Sequence, residues 1–282
     1  MTVILVSGEK TGSGASTVAV GICLVAAQRG LDVSIRRLGS DDSATQDALG
    51  FAQVLSSQID SGDGLPVEMS ALPALRNQVN VVEVDVSQIS AAAESVPNSK
   101  IIWVTEGVTN DAAFWNLANR SKSSGDRSII EDRVLAAPTV AELIEATNAS
   151  LLSSPKRGNS ALCEHVLIGA ISHDSADDYF GRYNSKAVIS RAEKVDLGLA
   201  ALLSNAECLL LTGGHEPSPY LLDRASASAT TVALSPNSTT VTAKDIEGIF
   251  GISSFNHLEK ADRILELLLE NIPDSDWDEL FS

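Results

Sequence analysis

Short runs of contiguous apolar, mostly β-branched residues alternate along this chain with longer stretches whose apolar positions recur at helical spacing. The run TVILVS, residues 2–7, predicts a strand. STVAVGICLVAAQRG, residues 16–30, is apolar around most of its circumference and stops at Gly30, which predicts a buried helix. Further strands are predicted at DVSIRRL (32–38), VNVVEVDV (79–86) and KIIWVTEG (100–107). Strands alternating with helices predict a parallel sheet with helices on its faces.

The polar, breaker-rich stretch SKSSGDRS, residues 121–128, interrupts this pattern and predicts a boundary between a domain at 1–125 and a second at 129–282. The second segment restarts the alternation. TVAELIEATN (139–148) predicts a helix capped by Thr139, and HVLIGAIS (165–172), KAVIS (186–190), ECLLLTGG (207–214) and ATTVALSP (229–236) predict strands. A closing helix, NHLEKADRILELLLEN (256–271), is expected to present Leu258, Ala261, Leu265 and Leu268 on one face. The fold class is therefore α/β throughout, a shortened parallel-sheet domain followed by a smaller α/β domain.

Composition narrows the function classes. The 282 residues carry 20 Lys and Arg against 37 Asp and Glu, a net charge of −17. Such a surface repels polyanions, so nucleic acid and anionic membranes are not expected partners. No apolar stretch approaches the ~20 residues of a membrane span, and the first residues lack the basic-then-apolar pattern of a secretory leader. Three scattered cysteines, Cys23, Cys163 and Cys208, sit in apolar sequence and read as reduced core residues, so a cytoplasmic protein is expected. His165, His173 and His257 have no metal-ligand spacing.

The chemistry begins with GEKTGSGAST, residues 8–17, between the first strand and first helix. A phosphate-binding loop wraps backbone N–H groups around phosphates, sends a lysine to the outer phosphates and places a hydroxyl on Mg²⁺. Gly8, Lys10, Thr11, Gly12, Ser13, Gly14, Ser16 and Thr17 are the candidate nucleotide-binding residues, with Ser16 the metal-facing hydroxyl. Ala15 stands where the phosphate lysine belongs. Backbone N–H groups and the helix N-terminus still favour an anion. Phosphoryl transfer needs positive charge at the outer phosphates, so weak binding without turnover is expected.

The Gly8–Gly14 spacing is one residue longer than the common loop and resembles dethiobiotin synthetase and the related cobyrinic acid amide synthases. Lys10 falls where partition-protein ATPases of the same superclass keep a lysine that reaches across a dimer to the partner's nucleotide; it reads equally as a solvated loop lysine. Arg36 and Ser40 stand near the family's substrate-side Lys-Pro pair. Glu106 and Gly107 match its Glu-Gly, which implies Glu106 as a Mg²⁺ ligand. The cofactor so implied is ATP or another adenine nucleotide with Mg²⁺.

From about residue 129 the chain resembles the DRTGG domain that follows a dethiobiotin-synthetase-like domain in long phosphate acetyltransferases, here without the acetyltransferase domain. The resemblance is carried by RVLAAPTVAELIEATNASLL, by ISRAEKVDLGLAAL with Glu193, Lys194 and Asp196, and by CLLLTGGHEPSP with Thr212, Gly213 and Gly214. The triplet ends an apolar strand, and its N–H groups read either as an anion cradle or as a tight turn before His215. The resemblance implies a regulatory, nucleotide-binding sensor answering to a small-molecule effector. It also implies a homo-dimer or a separate metabolic enzyme as partner. The rival expectation is an ATP-dependent carboxylate ligase resembling dethiobiotin synthetase. In the last segment, PDSDWDELFS, Trp277 and Phe281 are spaced to fold back as a final helical turn, or else to form an acidic-aromatic docking tail.

Overall fold

The computed structural model describes residues 1–55, 59–123, 125–156, 158–169, 176–252 and 255–282, with residues 176 and 177 described by backbone alone. The chain divides into two compact units, residues 1–135 with 254–282, and residues 136–253. In order the elements are β1 (Thr2–Gly8), α1 (Ala15–Gln28), β2 (Val33–Arg37), α2 (Asp42–Val54), β3 (Ile59–Asp60), β4 (Val79–Glu83), α3 (Ile89–Ser95), β5 (Lys100–Thr105), β6 (Trp115–Ser121) and β7 (Ser128–Ile130). After the helical turn α4 (Arg133–Ala136) come α5 (Val140–Ala146), β8 (Ser150–Ser153), β9 (His165–Ile168), α6 (Ala176–Phe180), β10 (Lys186–Arg191), α7 (Val195–Leu203), β11 (Cys208–Thr212), α8 (Pro219–Ser226), β12 (Thr231–Leu234) and α9 (Thr239–Asp245). The chain closes with α10 (Leu258–Asn271) and α11 (Asp274–Phe281).

The first unit is built on a seven-stranded sheet in the order β3-β2-β4-β1-β5-β6-β7. Every pairing in it is parallel. Residues 2–8 are buried throughout, as a central parallel strand covered on both faces requires. Ile4 and Val6 face a core shared with α1, α2 and α10, whereas Val3 and Leu5 face a second core closed by Ile89, Ala92 and Val96. The residues after Gly107, which show no clear alternation in the sequence, add β6 and β7 to the sheet. Trp115 and Leu117 of β6 are nonetheless buried in the main core.

The closing segment departs from expectation. Helix α10 belongs to the first unit, not to a domain at 129–282, and the division falls at 135–136 rather than between 125 and 129. The physical reason is a close helix crossing: a Cβ on Gly21 of α1 would lie 2.4 Å from Leu268 Cδ1 and 2.9 Å from Ile264 Cγ1. The buried face of α10 is Ala261, Ile264, Leu267 and Leu268, while Leu258, expected on that face, is exposed. Trp277 of α11 is fully buried, edge-on to Trp115 with ring centroids 5.4 Å apart and stacked on Phe281 at 5.7 Å. Arg127 pairs with Asp276 at 2.6 Å, and Lys100 donates to the terminal carbonyl of Leu280 at 3.1 Å, closing the helix end.

The second unit holds a five-stranded sheet, β8-β12-β11-β10-β9, with β9 to β12 parallel and β8 antiparallel at the edge. Val188, Leu209 and Leu211 pack with Phe180, Leu197, Ala201 and Leu221 on one face. Ile189, Leu210 and Ala233 pack with Val140, Leu143 and Ile246 on the other. Thr139 caps α5 as expected, within a reciprocal box in which its hydroxyl accepts from the Glu142 N–H. Of the predicted strand at 165–172, residues 170–172 lie outside the described residues, as does His173. Cys23, Cys163 and Cys208 are unpaired and buried, and burial pushes the Cys208 thiol up to about 12.

Trp277→Ala is expected to lower stability by about 3–5 kcal/mol, as deletion of a fully buried indole does. Urea unfolding followed by circular dichroism checks this; an unchanged midpoint would mean that the last helix contributes nothing to the core.

Candidate functional site

Strand β1 sits between β4 and β5, yet the chain leaves it through α1 to reach β2, on the far side of β4; from β4 the chain then crosses back to β5. This reversal opens a crevice at the carboxyl ends of β1 and β4, the usual ligand position in open α/β sheets. The loop of residues 8–14 fills the mouth of that crevice. Gly14 has φ 91° and caps α1, and a Cβ there would lie 2.4 Å from Asn119 Nδ2, so glycine alone fits. The loop is anchored from β6: Asn119 donates to the Ser13 carbonyl at 2.7 Å and Arg120 to the Gly12 carbonyl at 3.0 Å. Among the described residues, the N–H groups of Gly12, Gly14 and the first turn of α1 meet no acceptor. They form an open arc of donors at the N-terminus of a 14-residue helix, an arrangement that favours negative charge.

Individual loop residues take distinct places. Ser13 is buried and its hydroxyl accepts from the Lys10 N–H at 3.2 Å, an internal brace rather than a ligand contact. Lys10 extends to Glu106, Nζ to Oε2 2.7 Å, and Arg120 pairs with the other Glu106 oxygen at 2.9 Å. Ala15 is the first helical residue and packs against the main core, so an apolar group replaces the expected charge. Thr17 lies in the first turn of α1, Thr11 is at the exposed tip, and Gly8 ends β1. Arg36 is tied to Asp60 at 2.6 Å rather than to the loop.

The carboxylate that meets Ser16 is Glu83, not Glu106. Ser16 Oγ donates to Glu83 Oε1 at 2.8 Å. Glu83 ends β4 directly across from Val6, and is buried. Its other oxygen, Oε2, has no hydrogen bond and lies 3.7 Å from Arg37 Nε. Arg37 also pairs with Asp47 at 3.1 Å and Asp85 at 2.8 Å, so three acids share one buried cation. Burial, then the neighbouring Asp47 charge, pushes the Glu83 carboxyl up to about 8 despite Arg37 and Ser16. The run VNVVEVDV reads as strand alone, and the signal that would have singled out Glu83 is an acid at the carboxyl end of a strand adjacent to the loop strand.

Oxygen donors of this kind suit Mg²⁺, which takes one or two protein oxygens and completes its shell with water and phosphate. Ser16 and Glu83 converge as such a pair, and Glu83 Oε2 is a buried acceptor without a donor. Among the described residues no group of three or more His, Cys, Asp or Glu side chains could hold a metal by itself. The residues fit an ion that arrives with a nucleotide rather than a resident one.

A second N–H arc, at the end of β5, is already filled. The N–H groups of Glu106, Gly107 and Val108 donate to Glu9 Oε2 at 3.1, 3.3 and 3.0 Å. The Thr105 hydroxyl also donates to this oxygen, and with these N–H groups it holds the Glu9 carboxyl down at about 2. The protein's own carboxylate thus occupies the anion position beside Glu106.

In the second unit, the Thr212–Gly214 triplet is not an open cradle. Gly213 N–H donates to the Asn237 carbonyl at 2.7 Å and Gly214 N–H to the Ser235 carbonyl at 3.3 Å. These bonds tie the end of β11 to the turn before α9, with Gly213 and Gly214 at φ 95° and 66°. The Thr212 hydroxyl is buried between the Ser190 carbonyl, 3.3 Å away, and Thr239 Oγ1, 2.7 Å away. Beside it a cavity of about 860 Å³ opens at the carboxyl ends of β9 and β10, with Lys194, Thr239 and Lys244 in its lining. Of the residues that carry the sequence resemblance, Lys194 and Asp196 reach this cavity, whereas Thr212–Gly214 buttress its wall.

The molecule is thus a protein of two α/β units, one with a glycine-rich loop of open backbone N–H groups on a parallel sheet and one with a cavity lined by three cations on a second sheet. No helix among the described residues is long and apolar enough to cross a membrane. Residues 142–249, within the second unit, match the DRTGG domain. Among solved structures, the chain is similar to the CBS and DRTGG domains of the regulatory region of Clostridium perfringens pyrophosphatase, a structure complexed with the activator diadenosine tetraphosphate. That similarity has 16% identity and a TM-score of 0.38, and covers 44% of this chain and 53% of the other. This chain therefore spans about half the length of that structure.

Glu83 carries the pH prediction of this site. Its carboxyl titrates near 4.5 in the unfolded chain and near 8 in the fold. Between these values the folded state holds a proton that the unfolded state has lost, so stability present below about pH 4.5 is lost as pH rises through 8. Glu83→Gln removes this loss and flattens the profile. Urea midpoints at pH 5, 6.5 and 8 test it; equal slopes in both proteins would mean that Glu83 folds ionised.

Proposed function

We propose that this protein is a non-catalytic regulatory module whose first unit is a P-loop domain that binds a nucleotide weakly and whose DRTGG unit senses a small-molecule effector. The observation that carries the reading is the loop at residues 8–17. Its N–H arc, Ser16 and Glu83 are arranged for phosphate and Mg²⁺, while Ala15 supplies no charge where transfer would need it. Gly8, Lys10, Thr11, Gly12, Ser13, Gly14, Ser16 and Thr17 surround the nucleotide in this reading, with ATP or another adenine nucleotide as its class. Mg²⁺, held by Ser16 and Glu83, would neutralise charge between the phosphates. Glu106 then orients Lys10 and Arg120 instead of binding the metal.

The match to the DRTGG domain supports a regulatory role for the second unit. The pyrophosphatase region with such a domain is complexed with an adenine nucleotide activator, and an effector of that class is what we assign here. The resemblance to long phosphate acetyltransferases makes a separate metabolic enzyme the natural partner. The ligase reading requires charge that Ala15 does not provide.

ATP hydrolysis is expected to be negligible with Mg²⁺ present, and Ala15→Lys is expected to tighten nucleotide binding by about tenfold through one charge-assisted contact. Phosphate release and calorimetric titration measure both. Robust turnover by the unmodified protein would overturn the non-catalytic reading, and no gain from Ala15→Lys would remove the loop as a nucleotide site. Light scattering at micromolar concentration is expected to give the mass of a dimer, and a monomer mass would reject self-association.

A further inference from the structure

We propose that the cavity of the second unit binds a small phosphate-bearing molecule of nucleotide type, with Arg191, Lys194 and Lys244 holding the phosphate. The inference rests on reading this unit as a sensor and names the site at which it senses. The cavity lies beyond the carboxyl ends of β9 and β10, the position where open parallel sheets take ligands. Its volume, about 860 Å³, lies within the range of small-molecule sites.

The charge in this cavity runs against that of the whole chain. In a protein of net charge −17, three basic side chains converge on one concavity. Among the described residues, the Arg191 guanidinium has a single long ion-pair contact, 3.6 Å to Glu193. Among the described residues, the side-chain ammonium groups of Lys194 and Lys244 meet no hydrogen-bond or ion-pair partner. The three cations outnumber the two carboxylates of the lining, Asp196 and Glu247, so the cavity carries a net positive charge that favours an anion.

Two hydroxyl residues extend the polar wall. Thr239 and Thr240 line the cavity, and Thr239 is fixed there by its 2.7 Å contact with the buried Thr212 hydroxyl. That contact gives the Thr212 position a purpose the closed Thr-Gly-Gly turn does not: it sets a cavity residue by way of a buried neighbour. Ile168 and Leu197 add apolar surface to the lining. Asp196 and Glu247 also line the cavity, and carboxylates there suit the hydroxyl or amino donors of a sugar or base. A bare phosphate would leave that surface unused, whereas a nucleotide uses all three kinds.

The test is calorimetric titration of the full chain, in EDTA, with ATP, ADP, AMP and inorganic pyrophosphate. At least one nucleotide is expected to bind more tightly than pyrophosphate. The double variant Lys194→Gln, Lys244→Gln, at two exposed positions, is expected to weaken that nucleotide at least tenfold with an unchanged melting temperature. Lys156→Gln, outside the cavity lining, and Ala15→Glu, which sets a like charge at the first unit's loop, are expected to leave it within twofold. If instead the double variant binds normally and Ala15→Glu abolishes binding, the cavity assignment is overturned while the nucleotide-binding reading stands. If no probe saturates the protein at millimolar concentration in EDTA, the cavity assignment falls, while the first unit's loop, which takes its phosphates with Mg²⁺, is judged by titration with Mg²⁺ present. Should the double variant melt early, Lys194→Arg with Lys244→Arg must restore binding, and failure to do so overturns the proposal.

Discussion

Burial of β1 on both faces is the constraint from which the first unit follows. A strand with no exposed residue from Thr2 to Gly8 must sit at the centre of a sheet, with hydrogen-bonded neighbours on each side and helices above and below. Its end is therefore held to the position of β4 and β5, and the turn into α1 inherits that rigidity. Asn119 and Arg120 of β6 then tie the loop carbonyls from the side. The open N–H groups of the loop owe their arrangement to this scaffold, not to a charged side chain in the loop. That is why the geometry persists although Ala15 has no charge.

An acidic protein faces a particular difficulty at such a site. Arg37 is buried beside Asp47, Glu83 and Asp85, and of the three only Glu83 is withdrawn from water, so one cation shared among them leaves its charge poorly compensated. The excess is resolved at Glu83, whose carboxyl is pushed up toward 8 and is partly protonated near neutrality. Asp47 is raised as well, chiefly by burial. A divalent cation brought by phosphates would reverse this balance, since the carboxylate it draws in would lose its proton.

The second unit solves a different problem with the same kind of sheet. Its strand-end glycines, Gly213 and Gly214, spend their N–H groups on the adjoining turn, so they stabilise a wall instead of binding an anion. The charge that a phosphate would meet comes from side chains on β10, α9 and the residue preceding α7. Open backbone N–H groups in the first unit and charged side chains in the second are separate physical arrangements that would suit one ligand chemistry.

The sequence alone determined the α/β class, the strands β1, β2, β4, β5 and β9 to β12, the cap at Thr139 and the loop at residues 8–17. These are local features, set by residue spacing over a few turns or a single strand. It also pointed to a folded final segment, because Trp277 and Phe281 lie one helical turn apart. Tertiary structure alone decided what lies far apart in the chain. Glu83 reaches Ser16 across 67 residues because β4 returns to lie beside β1, an outcome of strand order that no local pattern encodes. The same holds for α10, whose apolar stripe fits either unit until Gly21 of α1 shows where two helices can approach closely. Strands β6 and β7 escaped notice for a related reason: their burial depends on covering helices from distant sequence, so their own polar residues hide the pattern.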